Sequence, residues 1–262
     1  MVNEILDKPH RSFAEVYNFV RDRTRAIRTD FTLQNYHGPE SVEVNEKICR
    51  FHIISSHRLC EEPDTIYNDQ QNMEQLGKVL QTLMEIYDDA NCSNVTYPYE
   101  AEFRAYYILT QIESAEVMAR AERWKAAVFE SDEVQNALTF HELVQNKLGL
   151  ALFSRMRSPR TTYLQSCLLQ RLFISMRREG LRAFNQSCIY KDKAFPVSLL
   201  TQMMAFDSAD DTVECCQHWG LEVDSEKLGE ADIGVRFGKR DGGRILWIGR
   251  TKKADAARNI CV

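Results

Sequence analysis

Several groups of residues in this 262-residue chain have the types and spacing to do chemistry. Cys49, His52, His57 and Cys60 form a Cys-x2-His-x4-His-x2-Cys run with the composition of a zinc site. The periodicity puts all four on one helix, where a rise of about 1.5 Å per residue separates Cys49 from Cys60 by about 16 Å. Zinc gathers its ligands at about 2.0–2.3 Å around a single point, so the run reads as packing and no metal is expected. Cys215 and Cys216 adjoin and point apart on a helix, which is not a redox pair. Glu100 and Glu102, two apart on a helix, face different directions; ion pairing with Arg104, or packing near a helix start, suits them better than acid and base work. A serine in a Gly-x-Ser-x-Gly turn, a cysteine with an activating histidine and a phosphate-cradling glycine loop are all missing. No catalytic residue and no cofactor are expected, and the chain reads as a non-enzyme.

The cationic residues offer more. Arg21, Arg25 and Arg28 line up about 100° round a helix from its apolar stripe. Such a row can hold phosphates or a partner's carboxylates; the plainer reading is that it pairs with the chain's own acids, Asp22 and Asp30 included. The net charge of −5 hides an asymmetry: between Arg236 and Lys253 seven basic residues face the single acid Asp241, a segment charge of +6 that leaves −11 on the rest. Salt confines the field of such a patch to about 8–10 Å, so it neutralises phosphates locally even on an acidic body. Lys239, Arg240, Arg244, Arg250, Lys252 and Lys253 are therefore the candidate nucleic-acid contacts, of a kind that gives affinity with little reading of sequence. The alternative is a solvated charged turn with a basic tail.

The elements that must position these residues are helical from Ser12 to about Tyr190. Ser12 and Glu15 read as a capping box, after which Phe13, Val16, Val20, Thr24, Ile27 and Phe31 recur at three- and four-residue steps. Gly38-Pro39 closes that helix and opens a second, with Val44, Ile48, Phe51 and Ile54 inward and Pro63 at its end. A third carries Met73, Leu76, Val79, Leu80, Leu83, Ile86 and Tyr87 on one face. Glu100 to Ile112 and Ser114 to Phe129 make two more, the second anchored by Trp124. Thr139 with Glu142 reads as a capping box opening a helix through Leu152, and Ser158-Pro159 as the start of one through Leu172. Antiparallel helices joined by short loops without strands between them give a bundle or a solenoid of helix pairs.

The texture changes after residue 190. Phe195 to Met204 reads as a short helix, and Asp207 to Asp211 as a capped start for the helix Thr212 to Trp219, with Gly220 as its stop. Ile233 to Phe237 and Arg244 to Ile248 alternate on either side of the glycine-rich tip 238–243, the pattern of a β-hairpin. Helix, turn, helix, hairpin is the order of a winged helix, with the basic tip as its wing. The fold class is mainly α, a helical-repeat (PCI/TPR-like) array of antiparallel helices over 12–190, followed by a C-terminal winged helix with a small β-hairpin over 191–250 and a basic tail over 251–262. The helix in the recognition position lacks arginine and lysine, so base-specific reading of a major groove is not expected. With 44% hydrophobic residues the chain has material for a substantial core. It has no apolar run of the roughly 20 residues a spanning helix needs, and Met1 to His10 lacks the apolar centre of a signal peptide, which points to the cytosol or nucleus. The eight cysteines sit mostly at apolar helical positions, as reduced thiols do.

Asp22-Arg23-Thr24-Arg25-Ala26-Ile27-Arg28-Thr29-Asp30-Phe31-Thr32-Leu33-Gln34-Asn35 resembles the signature of the suppressor-of-actin-three/GANP family. Asn45 to His52, Glu74-Gln75-Leu76-Gly77-Lys78, Leu80-Gln81-Thr82-Leu83 and Glu100-Ala101-Glu102-Phe103-Arg104-Ala105-Tyr106-Tyr107 continue it in order, and the match runs to about Val223. The resemblance implies a PCI-type scaffold of the TREX-two transcription-and-export complex. It implies pairing with a second PCI-domain protein, bracing by a small acidic DSS-one/Sem-one-type subunit, and joined winged helices that bind RNA or DNA during mRNA export in the nucleus, at the nuclear pore. The N-terminal export-receptor repeats and the C-terminal centrin-gripping segment of the family are missing here, which implies a fragment or a short paralogue. Paralogues that work in transcription elongation and splicing with a signalosome-like PCI partner, and a stand-alone RNA- or DNA-binding module, are the alternatives.

Overall fold

The structure is a computed structural model and describes residues 12–92, 95–187, 194–228, 232–238, 240–241 and 244–245. It is mainly α, a helical array followed by a winged-helix-like end. The array runs α1 (Phe13–Leu33), α2 (Pro39–Arg58), α3 (Asp69–Cys92), α4 (Glu100–Thr110), α5 (Glu116–Ala121), α6 (Ala126–Phe129), α7 (Asp132–Gln145), α8 (Gly149–Met156), α9 (Tyr163–Leu169) and α10 (Phe173–Ser187). After it come β1 (Phe195–Pro196), α11 (Val197–Met203), α12 (Ala209–His218), β2 (Glu222–Leu228), β3 (Asp232–Arg236) and the short pair β4 (Arg240–Asp241) and β5 (Arg244–Ile245). The chain forms two compact units, Met1–Leu138 with Thr162–Leu168, and Thr139–Thr161 with Leu169–Val262.

Helix starts follow side-chain chemistry. The Ser12 hydroxyl accepts the Glu15 N–H at 3.3 Å, and the Ser208 hydroxyl accepts the Asp211 N–H at 3.1 Å, both as the sequence indicates. Two other starts differ from expectation. Thr139 and Glu142 lie inside α7, which begins at Asp132 under a Ser131 cap that accepts the Val134 N–H at 3.4 Å. Ser158-Pro159 forms a turn, and α9 starts only after Thr162, whose N–H and hydroxyl exchange bonds with the Gln165 side chain and N–H at 3.2 and 3.3 Å. That reciprocal pair is a true capping box.

Among the described residues four helices end beside a left-handed residue, and three of these residues are not glycine. Asn35 at φ 49° ends α1, with the Tyr36 N–H returning to the Phe31 carbonyl, so the stop precedes Gly38. Lys147 at φ 57° ends α7 with the Leu148 N–H on the Leu143 carbonyl, and Ala205 at φ 54° does the same after α11 through Phe206 and Thr201. Gly220 at φ 76° closes α12 as the sequence indicates. α2 stops at Arg58, five residues short of Pro63, and the expected helix through Phe129 breaks into α5 and α6 around buried Trp124.

In the first unit α2 buries far more than one stripe: Asn45, Glu46, His52 and Ser55 go inside with Ile48, Phe51 and Ile53, while Val44 and Ile54 are only half-buried. Asn45 and Ser55 donate within α2, to the Ser41 and Phe51 carbonyls at 2.8 Å each, while Glu46 and His52 are served from neighbouring helices. The Tyr87 hydroxyl of α3 donates to Glu46 at 2.8 Å. Asn72 of α3 accepts from the Tyr17 hydroxyl of α1 at 3.1 Å and from the His52 Nδ1 at 2.8 Å, and donates to the His52 carbonyl at 3.0 Å. Three helices thus share one buried asparagine. Glu102 takes both forks of Arg50 at 2.9 and 2.7 Å, and Glu100 pairs with Arg104, the ion pairing the sequence suggests.

Burial pushes His52 down to about 4 from its ordinary 6.5, partly offset by its bond to Asn72. The unfolded chain therefore takes up a proton that the folded chain refuses, and stability is lost as pH falls from 6.5 toward 4. Between pH 7.5 and pH 5 this group should cost about 2 kcal/mol. Urea titrations at the two pH values should show that loss in the native chain, and a loss smaller by about the same amount in His52→Asn.

In the second unit Arg177 of α10 is buried, donating from Nε to the Met204 carbonyl at 3.1 Å and from a terminal nitrogen to the Ala205 carbonyl, with its guanidinium 4.0 Å from the Phe206 ring. It ties α10 to the left-handed end of α11. A Cβ at Gly149 would strike the Met176 carbonyl, so α8 and α10 approach as closely as they do only because that position has no side chain.

Candidate nucleic-acid interface

The winged-helix-like end is built around a three-stranded antiparallel sheet in the order β1-β3-β2. Two expectations change here. Phe195-Pro196 is a strand ahead of α11, paired Phe195↔Val235 and Pro196↔Gly234. β3 pairs with β2, Val223↔Val235 and Asp224↔Gly234, while Arg244-Ile245 pairs elsewhere and Leu246 to Ile248 lie outside the described residues. The residues that join β2 to β3, 229–231, lie outside the described residues and are Gly-Glu-Ala in sequence, with no basic residue among them. The basic stretch instead contributes its own short antiparallel pair, with Arg240↔Ile245 and Asp241↔Arg244 in register. In sequence β2, Glu222-Val223-Asp224-Ser225-Glu226-Lys227-Leu228, is mostly charged with few apolar residues, and so carries little strand pattern.

The root of the basic stretch is fixed to α10. Phe237 is buried, with its ring centroid 5.3 Å from Phe184 and 6.3 Å from Phe195. The next residue, Gly238, takes φ 79° and donates its N–H to the Asn185 side chain at 2.7 Å. Lys239 follows that anchor directly. Lys239, Arg250, Lys252 and Lys253 lie outside the described residues, and of Arg240 and Arg244 the backbone pairing is what the structure gives. Arg236 is taken out of the cationic surface by its own sheet, since its Nε donates to Asp224 across the strands at 2.7 Å. On α10 the outward Arg178 and Arg182 share Glu179 at 3.0 and 3.7 Å.

α12, in the recognition position, exposes Asp210, Glu214 and Gln217. An acidic exposed face repels phosphates, which agrees with the absence of arginine and lysine along it. The chemistry this end can perform is phosphate neutralisation from an anchored basic segment, without base-edge reading.

The other candidates fall elsewhere. Among the described residues no group of three or more metal-ligating side chains converges. Cys49 is buried with its thiol pushed well up by desolvation, His52 is bonded to Asn72, the His57 ring meets Tyr163 edge-on at 5.6 Å, and the Cys60 thiol donates to the His57 carbonyl at 3.0 Å. In the α1 row Arg21 pairs with Asp22 at 3.1 Å and reaches Gln71 of α3 at 3.2 Å, Arg28 reaches Gln75 at 3.4 Å, and Arg25 is exposed. Among the described residues the expected pairing with acids thus holds for Arg21 alone, because α1 lies against α3 where it presents amides. Among the described residues no helix is long and apolar enough to cross a membrane.

Residues 1–225 match the model of the SAC3/GANP family. SAC3 family protein 1 of Schizosaccharomyces pombe is 35% identical over 235 residues, covering 83% of this chain and 23% of that protein. Protein xmas of Drosophila melanogaster is 30% identical over 232 residues, 85% of this chain and 11% of the relative, and SAC3 family protein B of Arabidopsis thaliana is 29% identical over 220 residues, 79% and 13%. The chain spans less than a quarter of the length of these relatives. The matched stretch takes in the whole helical array, α11, α12 and the start of β2, and on that extent the chain belongs to the SAC3/GANP family.

Proposed function

We propose that this chain is a non-enzymatic scaffold that pairs with a second PCI-domain protein to form a nucleic-acid-binding platform in nuclear mRNA export coupled to transcription. The observation that carries the reading is the winged-helix-like end itself. Among the described residues its sheet order β1-β3-β2 leaves the seven-residue strand β2 at an edge, where a similar module can add. Membership of the SAC3/GANP family supports the export setting, and the basic segment rooted at Gly238 supports the nucleic-acid role. A small acidic subunit of the DSS-one/Sem-one type braces the pair, its acids suiting the basic end of this chain.

The test is assembly. Mixed with a PCI subunit and the small acidic protein at micromolar concentration, the chain should elute as a single one-to-one-to-one species by light scattering. A chain that stays monomeric in that mixture overturns the reading. The partner that forms the species also separates an export subunit from a transcription and splicing paralogue, whose partner is signalosome-like.

A further inference from the structure

Gly77 stands in the middle of α3, where glycine costs a helix about 1 kcal/mol relative to alanine. A Cβ built there meets nothing within 4 Å, so no neighbour inside the protein requires the glycine. The space beside it is a shallow, open groove of about 600 Å³, bordered by Arg28 of α1 and by Glu74, Lys78, Gln81 and Glu85 of α3. Glycine with open space above its backbone is what close approach of another chain needs.

The charges along the groove are uneven in their satisfaction. Arg28 is half-buried, and its guanidinium bond is to the neutral Gln75 amide at 3.4 Å. Burial, with the Arg25 charge close by, holds Arg28 below its ordinary value. Among the described residues neither Arg25, Arg28 nor Lys78 has a carboxylate at ion-pair distance. The two acids of the groove already accept from amides, Glu85 from Gln81 at 2.7 Å and Glu74 from Gln70 at 3.4 Å. A guanidinium group partly removed from water beside a second, exposed one, without a counter-charge at either, is stabilised when an anion arrives.

We propose that this groove docks an acidic segment of a partner protein, its carboxylates on Arg25 and Arg28 and its backbone against Gly77. The site uses none of the residues of the nucleic-acid interface and does not rest on that reading. Lys78 on the opposite wall offers a third cation.

The probe is a fluorescein-labelled helical peptide rich in glutamate and alanine, titrated by anisotropy against the full chain. Micromolar binding that weakens with salt is expected. Arg25→Glu with Arg28→Glu should weaken it by at least about tenfold, the loss of one good charged contact. Gly77→Leu should weaken it comparably while raising the melting temperature, because leucine is the better helix former and meets open space. That opposition of stability and binding cannot come from a purely structural glycine, and it remains readable if the double reversal fails to fold. Absence of peptide binding, or binding indifferent to Gly77→Leu, overturns the proposal. Displacement of the peptide by a single-stranded oligonucleotide, in a manner lost with the arginine reversals, overturns it in favour of a nucleic-acid surface.

Discussion

Replacing Arg104 by alanine should cost the fold about 3–5 kcal/mol, the toll of leaving a buried charge without its partner. The side chain is fully buried, with Nε donating to Glu100 at 2.8 Å and a terminal nitrogen to Asp88 at 2.8 Å. Its guanidinium lies 4.7 Å from the Trp124 ring, which fills the break between α5 and α6. Glu100 is itself 4% exposed and would keep one donor, the Asn91 amide at 3.0 Å. Truncation therefore strands a carboxylate, opens a cavity beneath Trp124 and frees the loop that the indole pins. Against a typical total of about 5–15 kcal/mol, a loss of that size leaves the protein close to unfolding. Arg104→Met combined with Glu100→Gln removes the charge from both sides and should lose markedly less, since a buried pair contributes little beyond an apolar isostere. Urea unfolding of the three proteins decides it. A single variant within about 1 kcal/mol of the native chain would mean that Glu100 is solvated and that the pair is peripheral.

The helical ladder was legible because its periodicity and its serine caps are local. Where the reading slipped, the cause was mostly a local pattern whose meaning depends on packing. Thr139 and Glu142 have capping-box spacing but sit mid-helix, because Ser131 with Asp132 and Glu133 behind it already supplies the cap. Asn35, Lys147 and Ala205 end helices in the left-handed region where glycine is the usual signal, and only tertiary contacts hold an alanine there; the buried Arg177 grips the carbonyls at Met204 and Ala205. Phe195-Pro196 hid as a helix start because a two-residue strand has no period to read. The sequence pattern points to the glycine-rich basic tip as the wing, whereas β3 pairs with the charged strand β2, which has no apolar alternation to read.

The candidate site was legible in a different proportion. Its charge could be counted, and its anchor could not, since Asn185 and Gly238 are 53 positions apart and meet only after α10 and β3 have formed. Arg236 counts as a cation in the sequence, yet Asp224 neutralises it across the sheet. The groove at Gly77 left one sign, a glycine inside an unbroken helical pattern, which the periodicity alone passed over.

The account stands or falls on whether the segment that begins at Lys239 touches phosphates. Five contacts, from Lys239, Arg240, Arg244, Lys252 and Lys253, would give single strands a salt slope of about −3.5 at about −0.7 per contact. Five such contacts bind weakly, so the measurement belongs on the complex with the PCI partner, whose own basic surface adds to both proteins equally. Lys239→Glu with Arg240→Glu should flatten the slope by about 1.4 and weaken every sequence alike. Between 50 and 200 mM salt the contribution of this chain should then fall by only about twentyfold where the native segment loses about a hundredfold. The decisive measurement is the anisotropy titration of homopolymeric and mixed-sequence single strands across that salt range, with native and reversed complexes side by side. A slope flattened by about 1.4 for every sequence is the predicted result. An unchanged slope, or tight binding that ignores salt, would contradict it and put the nucleic-acid surface on another part of the protein.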